Sequence, residues 1–239
     1  MIRLIILLIS VTCSFSLNKV KAQGGGPPMN TDDPAVVDYH TWEINSSINT
    51  SVTNETQLEL PSLDINYGIA HNFHFNIENS YVLIINKQRR ASGSFSDVSI
   101  GLKYHFLKKK SIISAGVFPH FILTGNNKGI LLPLLLAKAF GKFVVNANAG
   151  IFWGNHNNQS FQEGILFAYS ISDKFEVMAE YFMENAYKPL INTGYMNYGC
   201  RYSLNKTFTL MGSIGTQLIT PVAEQKEYLF AYLGIQTSL

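Results

Sequence analysis

The sequence predicts an all-β chain, a transmembrane up-and-down antiparallel β-barrel of about twelve strands. Three observations point there. The 239 residues are 46% hydrophobic and only 14% charged, yet apolar and polar residues alternate instead of running together. The longest apolar run outside the leader, 130–137, has eight residues, far short of the roughly 20 that a membrane-crossing helix needs. The breaks between alternating segments are short and long by turns, the asymmetry of membrane-barrel hairpins.

Residues 1–22 read as a signal peptide. Arg3 gives the positive start, Leu4 to Val11 the short apolar core, and Val20-Lys21-Ala22 the small residues before a cleavage point at Gln23. Cys13 follows Ser10-Val11-Thr12, which lacks the Leu and the small residue of a lipoprotein signal. Removing the leader takes away Arg3, Lys19 and Lys21 and leaves 15 basic against 16 acidic residues. That balance excludes the concentrated basic face of a nucleic-acid binder. Only Cys200 remains, so an intramolecular disulfide is excluded as well.

Residues 23–37 are rich in Gly and Pro and read as an irregular lead-in. The barrel occupies 38–239, with strands expected at 39–49, 57–70, 72–85, 94–107, 111–123, 130–140, 142–153, 161–172, 174–185, 191–204, 207–219 and 228–239. The clearest is 97–106. There Val98, Ile100, Leu102, Tyr104 and Phe106 share one face, and Asp97, Ser99, Gly101, Lys103 and His105 the other. The same alternation runs through 63–69, 73–78, 145–153, 175–184 and 229–239, while 130–139 is apolar on both faces. Short breaks fall at 71–72, 108–110, 141, 173 and 205–206. Longer ones fall at 50–56, 86–93, 124–129, 154–160, 186–190 and 220–227. An even strand number then puts both chain ends on the short-turn, periplasmic side.

Aromatic residues band at strand ends. Tyr67, Phe73, Phe75, Tyr104, Phe106, Phe175, Tyr202 and Phe208 lie on the oily face beside short turns, and Tyr81, Phe121, Trp153 and Tyr181 can form the opposite girdle. Such rings favour a membrane–water interface, whereas a soluble sandwich has no reason to band them.

Three stretches, 28–45 (PMNTDDPAVVDYHTWEIN), 60–81 (LPSLDINYGIAHNFHFNIENSY) and 97–107 (DVSIGLKYHFL), resemble the outer-membrane family named "MetA-pathway of phenol degradation". The most specific elements are Thr31-Asp32-Asp33-Pro34, Trp42-Glu43, Asp64 to Gly68, and Asp97 with Gly101 to Tyr104; Gly194 and Gly199 to Tyr202 match more loosely. The resemblance implies an outer-membrane location and a transporter-like role for small, aromatic or hydrophobic solutes. It transfers no binding residues.

The face turned from lipid carries Glu43, Asp64, Glu78, Asp97, Lys103, His105, Glu176, Glu180 and Arg201. Charges in such a lumen must be hydrated or paired. They form either a polar pathway that selects solutes or an ion-pair network that plugs and stiffens the barrel. Glu176, Glu180 and Glu184 stack three like charges unless Arg201 or Lys103 reaches them, which makes this column the candidate selectivity element. An alternative is a non-conducting structural or surface-binding barrel, although loops this short offer little binding surface.

Catalysis has one weak candidate, His156 with Ser160 in an Asn-rich loop; no enzyme is expected. The six His residues show no ligand spacing for a metal, and no Gly-rich phosphate loop opens a helix, so no cofactor is expected either. The expected partners are outer-membrane lipid, lipopolysaccharide, the barrel-assembly machinery and a small solute.

Overall fold

The computed structural model describes residues 25–88, 90–107, 113–124, 128–155, 158–187, 190–219 and 229–239. The expected signal peptide, His156 and the 108–110 and 220–227 breaks lie outside the described residues. Fourteen strands follow one another: β1 Trp42–Val52, β2 Thr56–Ala70, β3 Phe73–Ile85, β4 Ala91–Phe95, β5 Ser99–Leu107, β6 Ser114–Val117, β7 His120–Ile122, β8 Gly129–Phe140, β9 Phe143–Gly154, β10 Gln159–Ser170, β11 Phe175–Tyr187, β12 Leu190–Ser203, β13 Phe208–Ile219 and β14 Leu229–Ser238. Because β4 and β5 both pair with β3, and β6 and β7 both bridge β5 to β8, the ring has twelve staves. β1 and β14 pair antiparallel from Glu43↔Ser238 to Val52↔Leu229 and close it. Full closure leaves no unpaired edge, the condition for a sheet to cross lipid.

Period-2 patterning decides which way each side chain points. In β5, Leu102 and Phe106 are exposed outward while Gly101 and Lys103 are buried inward. The outer wall carries exposed Leu132, Leu134, Ile151, Ile165, Phe167, Leu210 and Leu233, an apolar belt. Its rims hold aromatic pairs. Trp42–Tyr67 (4.4 Å) and Phe73–Tyr104 (4.3 Å) lie at the short-turn end, and Tyr81–Phe95 (5.3 Å) at the other.

Three expectations need correction. The segments 94–107 and 111–123 are not continuous strands. Ser96 interrupts the first, because its hydroxyl and backbone take bonds from Asn79 and Ser80 in place of a regular ladder. Phe118-Pro119 interrupts the second, since Pro119 has no N–H to donate. Third, the break expected at 50–56 shrinks to 53–55, with Thr50 to Val52 laddered to Leu58 to Thr56. Polar residues keep a strand ladder as readily in water, so a polar run near a rim reads as loop when it is strand.

β2 also carries a bulge. Glu59 pairs with Val82 and Ser62 with Ser80, so one extra residue is accommodated at Leu60-Pro61. The bulge resets the alternation and turns both Glu59 and Ser62 into the lumen, where they line the same cavity.

Candidate functional site: a plugged lumen with two cavities

The described part of the lead-in, residues 25–37, is folded inside the barrel. A tight loop closes through Gly26 N donating to Thr31 O and Met29 N to Gly26 O, both at 3.0 Å, with Gly26 at φ 73°. The chain leaves past Gly68, whose missing side chain makes room for Asp38 O.

Four of the lumen charges expected from the sequence, Lys103, Glu176, Glu180 and Arg201, have partners in this plug or beside it. Glu180, 1% exposed, accepts from Asn30 N at 3.2 Å, from Thr31 N and from Asn197 Nδ2 at 3.4 Å. Arg201 donates to the carbonyls of Gly25, Gly26 and Pro27, with Nε 2.9 Å from Pro27 O, and lies 3.6 Å from Glu176. Lys103 Nζ sits 2.6 Å from Asp32 Oδ2 and 4.5 Å over the Phe118 ring. Asn148, oriented so that both amide atoms pair, accepts from Asp32 N at 2.7 Å and donates to Asp32 O at 2.9 Å. Val37 N donates to His74 Nδ1 at 3.2 Å. Asp33 accepts from Gly25 N and Ala35 N; burial pushes its carboxyl above the usual range, against the pull of Lys103.

Apolar contacts complete the seat. Met29 packs with Val144, Leu166, Ala168 and Met178 on β9 to β11. A Cβ at Gly164 would strike the Thr31 hydroxyl, and one at Gly199 the Met29 methyl. Thr31 is fully buried.

Among the described residues, two cavities flank the plug. An outer one of about 610 Å³ opens toward the 53–55 end and is bounded below by Pro27 to Asn30. An inner one of about 410 Å³ lies between the plug and the wall, lined mostly from β1 to β9 and also by Gln162, Phe182, Arg201 and Gln236. Both are lined by Asp64, Glu78, Asn30, Pro27 and Phe182, which form their common waist.

Of the residues singled out in the sequence, Asp64 and Glu78 line both cavities, Asp97 the outer one, and Lys103 and Arg201 the inner one. Glu176 and Glu180 line neither, so the acidic column is not one continuous face. Glu176 meets Arg201, Glu180 the plug, and Glu184 accepts from Ser160 Oγ at 3.0 Å. His105 sits near the short-turn end, its Nε2 2.8 Å from both Leu107 O and Ser114 Oγ. Among the described residues no group of three or more His, Cys, Asp or Glu could hold a metal ion. Sequence reasoning missed Asp32, Asp33 and Glu59. The available signals were apolar Val144, Leu166 and Met178 on the wet face, which break the alternation, and the proline in β2.

The architecture is that of the porin-type barrels of outer membranes. The chain is similar to a solved KdgM porin (TM-score 0.59, 12% identity, covering 82% of this chain and 99% of that one) and to NanC porin (0.59, 10%, 82% and 98%). A KdgM porin solved in complex with disordered oligogalacturonate is also similar (0.56, 11%, 82% and 99%). At these identities the likeness concerns the fold. No family model and no curated protein sequence matches the chain.

Proposed function

We propose that the protein is a bacterial outer-membrane channel or transporter for small solutes, exported by its signal peptide and regulated in aperture by its own N-terminal plug. The observation that carries this is the shared waist. Cavities of about 610 and 410 Å³ on either side of the plug share Asp64, Glu78, Asn30, Pro27 and Phe182 in their walls, which supports a polar route past the plug. A barrel of twelve staves leaves a lumen of intermediate width, which this plug narrows. The apolar belt with aromatic rims supports an outer-membrane setting, with lipid, lipopolysaccharide and the assembly machinery as partners.

The narrower reading, kinship with the phenol-degradation family and passage of aromatic or hydrophobic solutes, draws support from the stretches quoted above. It also draws on Phe182, Tyr195, Phe230 and Tyr232 in the outer cavity wall. The buried plug contacts favour a second reading, a sealed barrel. Planar-bilayer recording separates the two. Discrete conductance steps from the purified chain are expected, larger in Arg201→Lys, which cannot bridge three plug carbonyls and Glu176 at once. Silence from both proteins, with folding verified, would overturn the channel reading.

A further inference from the structure

We infer that the outer cavity is a binding site for a small organic cation, a solute with an ammonium or guanidinium group beside a flat apolar part. This names the solute class of the proposed channel and rests on that reading for its biological setting.

Charge comes first. Glu59 on β2 and Glu184 on β11 face the cavity from nearly opposite walls, Asp97 faces it from the link between β4 and β5, and Asp64 and Glu78 stand at its floor. Among the described residues no Lys, Arg or His lines it. The donors that reach these walls are neutral: Asn49 and Gln57 to Glu59 at 3.0 and 3.2 Å, and Ser160 to Glu184 at 3.0 Å. The lumen's cations Lys103 and Arg201 line the other cavity, one on Asp32, the other on Glu176 and plug carbonyls.

A second, independent feature is a pair of unsatisfied acceptors. Asn45 and Asn197 line this cavity and are each 2% exposed. The amide nitrogen of Asn45 is spent on Asp64 at 2.9 Å, and that of Asn197 on Pro28 O and Glu180. Their orientation is thereby fixed, and each leaves Oδ1 with no hydrogen-bond partner among the described residues. A buried acceptor left unpaired is costly. The partner each oxygen lacks is an N–H or O–H donor, which an anion or a hydrocarbon cannot be. Third, the rings of Phe182, Tyr195, Phe230 and Tyr232 in the same wall offer faces for a flat group and for cation–π attraction. The volume suits one such molecule.

Calorimetric titration of the full chain in detergent tests the inference, with benzylammonium chloride as probe, sodium benzoate as the matched anion and benzyl alcohol as the neutral analogue. Benzylammonium should bind about tenfold or more tighter than benzyl alcohol in low salt and lose most of that margin near 1 M salt, where the Debye length is about 3 Å; benzoate should bind weakest. The Glu59→Gln/Glu184→Gln double variant should bring the ammonium down to the alcohol. Equal binding of the three probes, a preference for benzoate, or a salt-insensitive margin would overturn the inference. Because the readout is binding, a silent bilayer would strike the channel reading alone and leave this one to the calorimeter.

Discussion

Lys103 and Asn146 carry opposite expectations for stability. Lys103 is buried against Asp32 at 2.6 Å, with Asp33 contributing to its electrostatics. Breaking a buried pair from one side costs about 3–5 kcal/mol, so Lys103→Met should lower the temperature at which the folded, fast-migrating gel band is lost. Asn146 is fully buried, and neither side-chain atom has a partner among the described residues. Its cross-strand neighbours are Leu166 and Ala137. Asn146→Leu should therefore stabilise, by up to about 1–3 kcal/mol, and a lowered melting temperature would contradict the assignment. Asp33 gives a pH signature. Its raised pKa means that the neutral form favours the native plug, so its contribution is complete below the unfolded pKa of 3.8 and is lost as pH rises through the folded value. The difference in melting temperature between wild type and Asp33→Asn should thus move in favour of the variant as pH rises from 3 to 8. Period-2 reading placed Glu180, Arg201 and Lys103 on the wet face, but not their partner. Alternation says which wall a side chain leaves and is silent on an aperiodic segment that fills the space beyond.

At the level of strands, facing is the claim most open to test. Ile100 lies on the outer wall between Ile77 and Phe121, while neighbouring Ser99 faces the outer cavity. Arg at a lipid-facing midplane position costs about 2–4 kcal/mol. Ile100→Arg should cut the yield of folded barrel sharply, and Ser99→Arg, with Glu78 opposite it in the ladder, should be tolerated. Equal yields would mean the facing is inverted. Strand number and facing were legible because lipid and water impose opposite demands on alternate residues. The interruptions at Ser96 and Pro119 and the bulge at Pro61 were not. Each is a local hydrogen-bond defect whose partners, Ser80, Pro133 and Val82, are distant in sequence or invisible to patterning. β8, apolar on both faces, becomes intelligible only with the plug in place, since Leu131, Pro133 and Leu135 look onto the same cavity as Ala35 to Val37.

For the molecule as a whole, the plug sets the expectations. Gly164→Val places side-chain atoms where Thr31 lies and leaves the outer wall untouched. It should loosen the plug and raise single-channel conductance toward that of an open twelve-stave pore. Unchanged conductance, in a variant that still folds, would mean that the route does not run past Thr31. The barrel was readable from sequence because it repeats a single rule; the plug occurs once and obeys none.

The two cavities differ in charge as well as size: the outer is edged with carboxylates alone, while the inner holds Lys103 and Arg201 beside Asp32, Asp33, Glu43, Asp64 and Glu78. An ion travelling inward meets a purely acidic lining before one of mixed charge, and one travelling outward meets them in reverse. A lining so uneven along its length should rectify: at equal and opposite voltages the currents should differ, the direction reporting which way the protein sits in the bilayer.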